Sequence, residues 1–560
     1  MSLEQLVSSL SIEEKVGQLL MVGVPSSELD GSTRAVIRDL GVGGVILYRR
    51  NIKRPDQLRA LVEALQTTGT RSRTGVGLLI AVDQEGGTAV QLWESEVPVP
   101  PGAMAIAAMG PEDTERRTDR REEVAYRVAL ASGTHIKAFG VNMNLAPVLD
   151  VNNNAENPVI GVRSFGADPH LVARLGTAAA RGFMDAGILC CGKHFPGHGD
   201  TRLDSHLDLP VIPHSRERLD AVELVPFRRA IAAGIDAIMT AHVGFPSIEQ
   251  DPGIPATLSP AVVSGLLKGE LGFSGVAVSD LMSMKAIADR YEAGEAAVRA
   301  VAAGIDLVLP ADDQHLQRVT RDALLSALAT GRLSVARLDD AVRRVLSAKL
   351  RVGLVPLGAE QPGIRHPRAA GEPSKPSGPL DTAGDAAHRR LFAEVYHRAI
   401  TVVRDRRKTL PLRIPEASLV GVVFIAHEDE LHRHRWQSAR QRLLEAFSRR
   451  HHRCVEMPAT PAGSGEVSAR ADALVVVFCT RKDLNPEEVE VARSLARSGK
   501  PVMGLGLFNP FVIRHVPEMD CFLAAYDYSG EAVEAAVEAV FGEFEAKGVF
   551  PAETAANWGW

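Results

Sequence analysis

Residues 192–210 read GKHFPGHGDTRLDSHLDLP, which sets His194, His198, His206 and Lys193 among Asp200, Asp204 and Asp208. Gly197, Gly199, Pro196 and Pro210 punctuate the stretch and rule out a long helix or a plain strand, so it is read as a loop. Side chains that donate, accept and titrate near neutral pH suit proton transfer and the recognition of polar substrates. Solvated loops also collect His and Asp. Here, however, the apolar run from Gly187 to Cys191 leads straight in, as a buried parallel strand delivers reactive groups at its C-terminal end. Asp204 and His206 stand two apart, so on an extended segment they face the same side and the carboxylate can hold the imidazole tautomer. A turn-forming aspartate that caps local amides is the alternative. Asp280 ends another apolar run, where a carboxylate serves as nucleophile, metal ligand or N-cap of the next helix. Asp83 also ends a run, and Gly86-Gly87 just beyond it lets backbone or ligand approach closely. Arg163 falls in a long loop, where a surface arginine is the ordinary explanation.

Positioning these groups requires a repeating framework. From residue 11 to about 350, short apolar runs (18–24, 44–48, 78–83, 141–147, 188–195, 237–243, 276–280 and 307–310) alternate with amphipathic stretches (33–40, 55–66, 169–185, 215–233, 260–267 and 294–303). Eight strands alternating with helices predict a (β/α)8 barrel. Asp168-Pro169 and Ser259-Pro260 place a capping residue before a first-turn proline. Runs end in Asp83-Gln84-Glu85, Asp150, Lys193-His194, Thr240-Ala241-His242 and Ser279-Asp280, and C-terminal strand ends of a barrel converge on one pocket.

The chain has 560 residues, more than one core usually supports, so two domains are expected. The barrel is assigned to 1–355 and a Pro/Gly-rich linker to 356–385. The remainder, 386–560, is predicted to form a smaller doubly wound α/β domain, with strand runs at 400–403, 419–426, 473–479, 502–507 and 521–525 and helices at 386–398, 435–449, 486–498 and 530–541. No GxGxxG follows the run at 419–426, which argues against a dinucleotide site. Composition is that of an ordinary globular protein, 45% hydrophobic and 24% charged with net charge -6, and carries no basic footprint for nucleic acid. No apolar run approaches the roughly 20 residues that span a bilayer. The first twenty residues lack signal-peptide features, and the five cysteines read as buried free thiols. Both features point to the cytoplasm.

AVDQEGG (81–87), KHFPGHGDT (193–201), DSH (204–206) and GVAVSDLMSMKAI (275–287) resemble family-3 glycoside hydrolases of the β-N-acetylhexosaminidase type, over the whole first domain. The second domain, approached through AITVVRDRRKTLPL (399–412), resembles that of the two-domain members. The resemblance implies a retaining exo-β-N-acetylglucosaminidase with Asp280 as nucleophile, His206 as general acid/base and Asp204 as its partner. Asp83, Arg163, Lys193 and His194 would bind sugar hydroxyls, with His242 near them. Chitooligosaccharides or cell-wall fragments, as in peptidoglycan recycling, would be the substrates, and no metal or cofactor is called for. After DQEGG the chain departs from many relatives, which carry arginine where this sequence has Thr88.

Three rivals remain on the residues alone. A metal-dependent barrel hydrolase would use His194, His198, His206, His242 and Asp280 as ligands. A phosphorylase on the same scaffold would exploit a histidine acid/base that does not repel phosphate. A catalytically silent sugar-binding protein would have no use for both Asp280 and His206. Oligomeric state is not legible.

Overall fold

The computed structural model describes residues 2–110, 119–205, 207–310, 312–355, 382–426 and 433–552. Eight parallel strands form the first sheet: β1 (Met21–Gly23), β2 (Gly44–Leu47), β3 (Leu79–Val82), β4 (Met143–Asn144), β5 (Leu189–Phe195), β6 (Ala237–Thr240), β7 (Val276–Leu281) and β8 (Leu307–Leu309). A parallel bridge between Leu20 and Val308 joins the two ends, so the sheet closes into the expected barrel. Period two sorts the side chains. Met21, Ile46, Leu79, Ala81, Leu189, Cys191, Val276 and Val278 fill the interior, whereas Val22, Val45, Ile80, Cys190 and Ala277 pack outward against the helices.

Helices α1 (Arg121–Lys137) and α2 (Pro169–Asp185) pack together on the outside. Asp168 caps α2 by accepting the His170 N–H, with Pro169 in the first turn, and Ser259 accepts the Val262 N–H at the start of Ala261–Glu270. The helix expected across 215–233 is two, Arg216–Ala221 and Leu224–Ala232. Pro226, which lacks an N–H, is accommodated in the first turn of the second.

The second sheet has six strands in the order β9-β14-β13-β12-β10-β11, comprising β9 (Thr401–Asp405), β10 (Val420–Ala426), β11 (Cys454–Met457), β12 (Ala473–Cys479), β13 (Val502–Gly506) and β14 (Cys521–Ala524). All pairs are parallel except β9 with β14. Helices α3 (Thr382–Ala399), α4 (Arg433–Arg450) and α5 (Gly530–Phe541) belong to this domain. The sequence reading lacked β11, whose Val455 and Glu456 are exposed at the sheet edge, and the helix Pro461–Arg470. Most of the expected linker, 356–381, lies outside the described residues, and α3 already begins at Thr382 rather than at 386. Four cysteines are buried and Cys454 is half-buried; all five are free thiols.

The two sheets share one continuous hydrophobic cluster. Polar ties reinforce it: Arg398 Nη2 donates to the Gly110 carbonyl, Arg514 Nη1 to that of Ala155, and the Ala167 N–H to that of Pro551. No helix among the described residues is long and apolar enough to cross a membrane.

Candidate active site

The inward alternation of three strands runs on past their paired residues. Leu79 and Ala81 lead to Asp83, Leu189 and Cys191 to Lys193, and Val276 and Val278 to Asp280. All three polar groups therefore reach the C-terminal mouth of the barrel. There they line one cavity of about 280 Å³, together with Glu85, Arg163, His194, His198, Tyr48 and Trp93.

Its charged wall is a linked chain. Lys193 Nζ donates to Asp83 Oδ1 and lies against Glu85 Oε1, both at 2.6 Å. Arg163 grips Glu85 with two parallel bonds, Nε to Oε2 at 2.8 Å and Nη2 to Oε1 at 2.7 Å, the bidentate geometry that planar guanidinium favours. Burial pushes the Glu85 carboxyl up, but Arg163 and Lys193 together hold it well below the carboxylate range. Burial likewise lowers Lys193, and Asp83 and Glu85 more than offset it, so the ammonium persists. Two cations thus face two carboxylates, each charge neutralised by a fixed neighbour.

The histidine loop is held from beneath by Asp150. This fully buried carboxylate accepts the backbone N–H of His198 at 2.6 Å and that of His194 at 3.2 Å, and lies 2.7 Å from His194 Nδ1. Burial raises the Asp150 carboxyl, yet His194 keeps it below its ordinary value. With Nδ1–H given to Asp150, Nε2 is the nitrogen His194 has left for a ligand. His198 is bonded through both nitrogens, Nε2 to Ser205 Oγ at 3.0 Å and Nδ1 to Thr201 Oγ1 at 3.1 Å. Asn157 Nδ2 donates to the His198 and Gly199 carbonyls, which pins the loop to the segment bearing Arg163. Asp204 is half-buried. The N–H groups of Leu207 and Asp208 both donate to its carbonyl, so the chain turns here instead of running extended, which corrects the geometry read from the sequence. His206 lies outside the described residues.

The family model for the glycosyl hydrolase family 3 N-terminal domain matches residues 11–348. The chain belongs to glycoside hydrolase family 3.

As a family-3 glycoside hydrolase it is an enzyme of β-hexosaminidase kinship. It is 33% identical to β-hexosaminidase A of Pseudoalteromonas piscicida over 437 residues, covering 72% of this chain and 69% of that protein. A family-3 β-N-acetylglucosaminidase from Paenibacillus sp. strain FPU-7 superposes with a TM-score of 0.83 at 37% identity, over 97% of this chain and 99% of that one. A β-glucoside phosphorylase, at 22% identity, shares the fold with a TM-score of 0.80 over 99% of this chain and 95% of its own.

Within this family-3 site, His242 is not in the cavity wall. It is buried behind β7, with Nδ1 2.8 Å from Thr257 Oγ1 and Nε2 3.2 Å from the carbonyl of Leu281. A strand-end position alone did not reveal these contacts with Thr257 and with the residue after Asp280. Among the described residues, the ring nitrogens of His194 and His198 bond to Asp150, Ser205 and Thr201.

Glu85 and Asp150 were legible only as strand-end acids; their roles as buried counter-charges are tertiary. Arg435 is one of several lining residues that carried no sequence signal. Arg435, on α4 of the second domain, reaches the cavity, donates to the Gly87 carbonyl at 3.2 Å and stacks 4.9 Å from the Tyr528 ring. Its Nε and Nη2 are buried and make no hydrogen bond among the described residues, Glu94 standing off at 3.6 Å.

Proposed function

We propose that this glycoside hydrolase is a retaining exo-β-N-acetylglucosaminidase. It removes terminal N-acetylhexosamine from chitooligosaccharides or cell-wall fragments, with the barrel 1–355 as catalytic domain and 386–560 as its companion. Asp280 attacks the anomeric carbon and forms a glycosyl-aspartate. His206, oriented by Asp204, protonates the departing oxygen and later deprotonates the incoming water. The observation that carries the reading is the convergence of Asp280 on one cavity with Asp83, Lys193, Arg163 and His194. Donors and acceptors already neutralised by one another suit a neutral polyhydroxylated ring. The cavity lies just below the usual range for small-molecule pockets, which suits one terminal sugar. The dyad roles of His206 and Asp204 rest on the DSH motif and on the family.

A leaving-group series tests the dyad. His206→Ala should lose about 10²–10⁴-fold on substrates with poor leaving groups and far less on activated aryl glycosides. A uniform loss across the series would remove His206 from acid catalysis. Phosphorolysis is a second reading, favoured by one observation, the Arg435 guanidinium at the same cavity, whose Nε and Nη2 make no hydrogen bond among the described residues. Faster turnover in phosphate than in phosphate-free buffer, with glycosyl phosphate as product, would support it.

A further inference from the structure

Helix α1 of the barrel and helix α3 of the second domain meet at three metal-ligating side chains that lie outside the catalytic cavity. His135 Nε2 is 2.9 Å from His388 Nδ1 and 3.2 Å from Asp385 Oδ1, and one ligand atom from each residue lies within 4.8 Å of the other two. His135 is buried, whereas Asp385 and His388 are half-buried. The last two are three residues apart, which stacks them on one helical face toward His135.

As a hydrogen-bonded group the cluster is poorly matched. Protonated at Nε2, His135 would offer one proton to two acceptors, the ring nitrogen of His388 and the Asp385 carboxylate. His135 Nδ1 has no hydrogen-bond partner among the described residues, so only the Asp385 carboxylate and the His388 ring bear on which nitrogen carries the proton. A cation at Nε2 would take the place of that proton and meet the Asp385 carboxylate and the His388 nitrogen together.

We propose that His135, Asp385 and His388 form a binding site for a zinc-class divalent cation that clips the barrel to the second domain. Bonds of about 2.0–2.1 Å in tetrahedral array place ligand atoms roughly 3.3 Å apart. The two shorter separations here need to change by only a few tenths of an ångström. Two imidazoles and one carboxylate select a transition metal over calcium or magnesium, which prefer shells of oxygen. The partial exposure of Asp385 and His388 leaves the fourth position to water. Because the ligands come from both domains, the ion binds only the docked arrangement and stabilises it by mass action.

The test uses the full chain and zinc alone as probe. After loading and dialysis, metal analysis of wild type should find one equivalent more than in His388→Gln or Asp385→Asn, which preserve polarity and bulk. Zinc should raise the thermal midpoint of wild type by several degrees relative to chelator, and both variants should lose most of that shift. Turnover of the variants without added metal should equal that of wild type. Equal zinc content and equal thermal response in wild type and variants would overturn the site, since any cation retained would then be bound elsewhere.

Discussion

Lys193 and Arg163 stay charged because Asp83 and Glu85 are fixed against them, and a sugar hydroxyl entering this wall meets oriented donors and acceptors without reorganising it. His198 is the opposite case. Burial, with the His194 ring beside it, pulls His198 down to about 4, against about 6.5 in an unfolded chain. Between pH 6.5 and 4 the unfolded state therefore takes up a proton that the folded state refuses. The stability present above pH 6.5 falls as pH drops through that window, by about 3 kcal/mol at its end. His198→Gln should be less stable than wild type at pH 7.5 but lose less between pH 6.5 and 4. Parallel unfolding curves across that range would show that His198 is not the group responsible. Asp83, Lys193 and Asp280 were legible because polar residues ending alternating apolar runs have one place to go in a barrel. The orientation of His242 was not, because it depends on Thr257 and on the backbone of the next strand.

Among the elements, the strand-and-helix alternation of the barrel was read nearly whole, since each buried parallel strand is a short apolar run and each helix has its own period. The short edge strand β11, half solvated, gave no such contrast. Helix α4 could be placed from sequence, but its function could not. The contact of Arg435 with Gly87 joins positions 348 apart in the chain, and no local pattern encodes that. Arg435 is fixed at the cavity wall by the Gly87 carbonyl and the Tyr528 ring, and a part in substrate binding would show in KM more than in kcat. Arg435→Leu should raise KM at least several-fold while kcat changes little, and should abolish any acceleration by phosphate. An unchanged KM would place the guanidinium among purely structural contacts.

Across the whole molecule, the second domain acts as one wall of the active site, held by apolar burial and by docking of residues near the C-terminal end of the described chain. Gly166 shows how close that docking is: a Cβ there would meet the Pro551 carbonyl oxygen at 2.2 Å, at a φ of +128°. Gly161 also has positive φ, +44°, with nothing within 4 Å. Gly166→Ala should therefore lower the thermal midpoint clearly more than Gly161→Ala, which bears backbone strain of about 1–3 kcal/mol alone. Equal losses would mean that the Pro551 contact yields easily. Double displacement through Asp280 is tested most directly by trapping the intermediate. The enzyme is incubated with a fluorinated N-acetylglucosaminyl donor that slows deglycosylation, then digested and its peptides weighed. The peptide containing Asp280 should carry the mass of one glycosyl unit, absent in Asp280→Asn. Turnover without any adduct on that peptide, or an adduct on another carboxylate, would contradict the assignment.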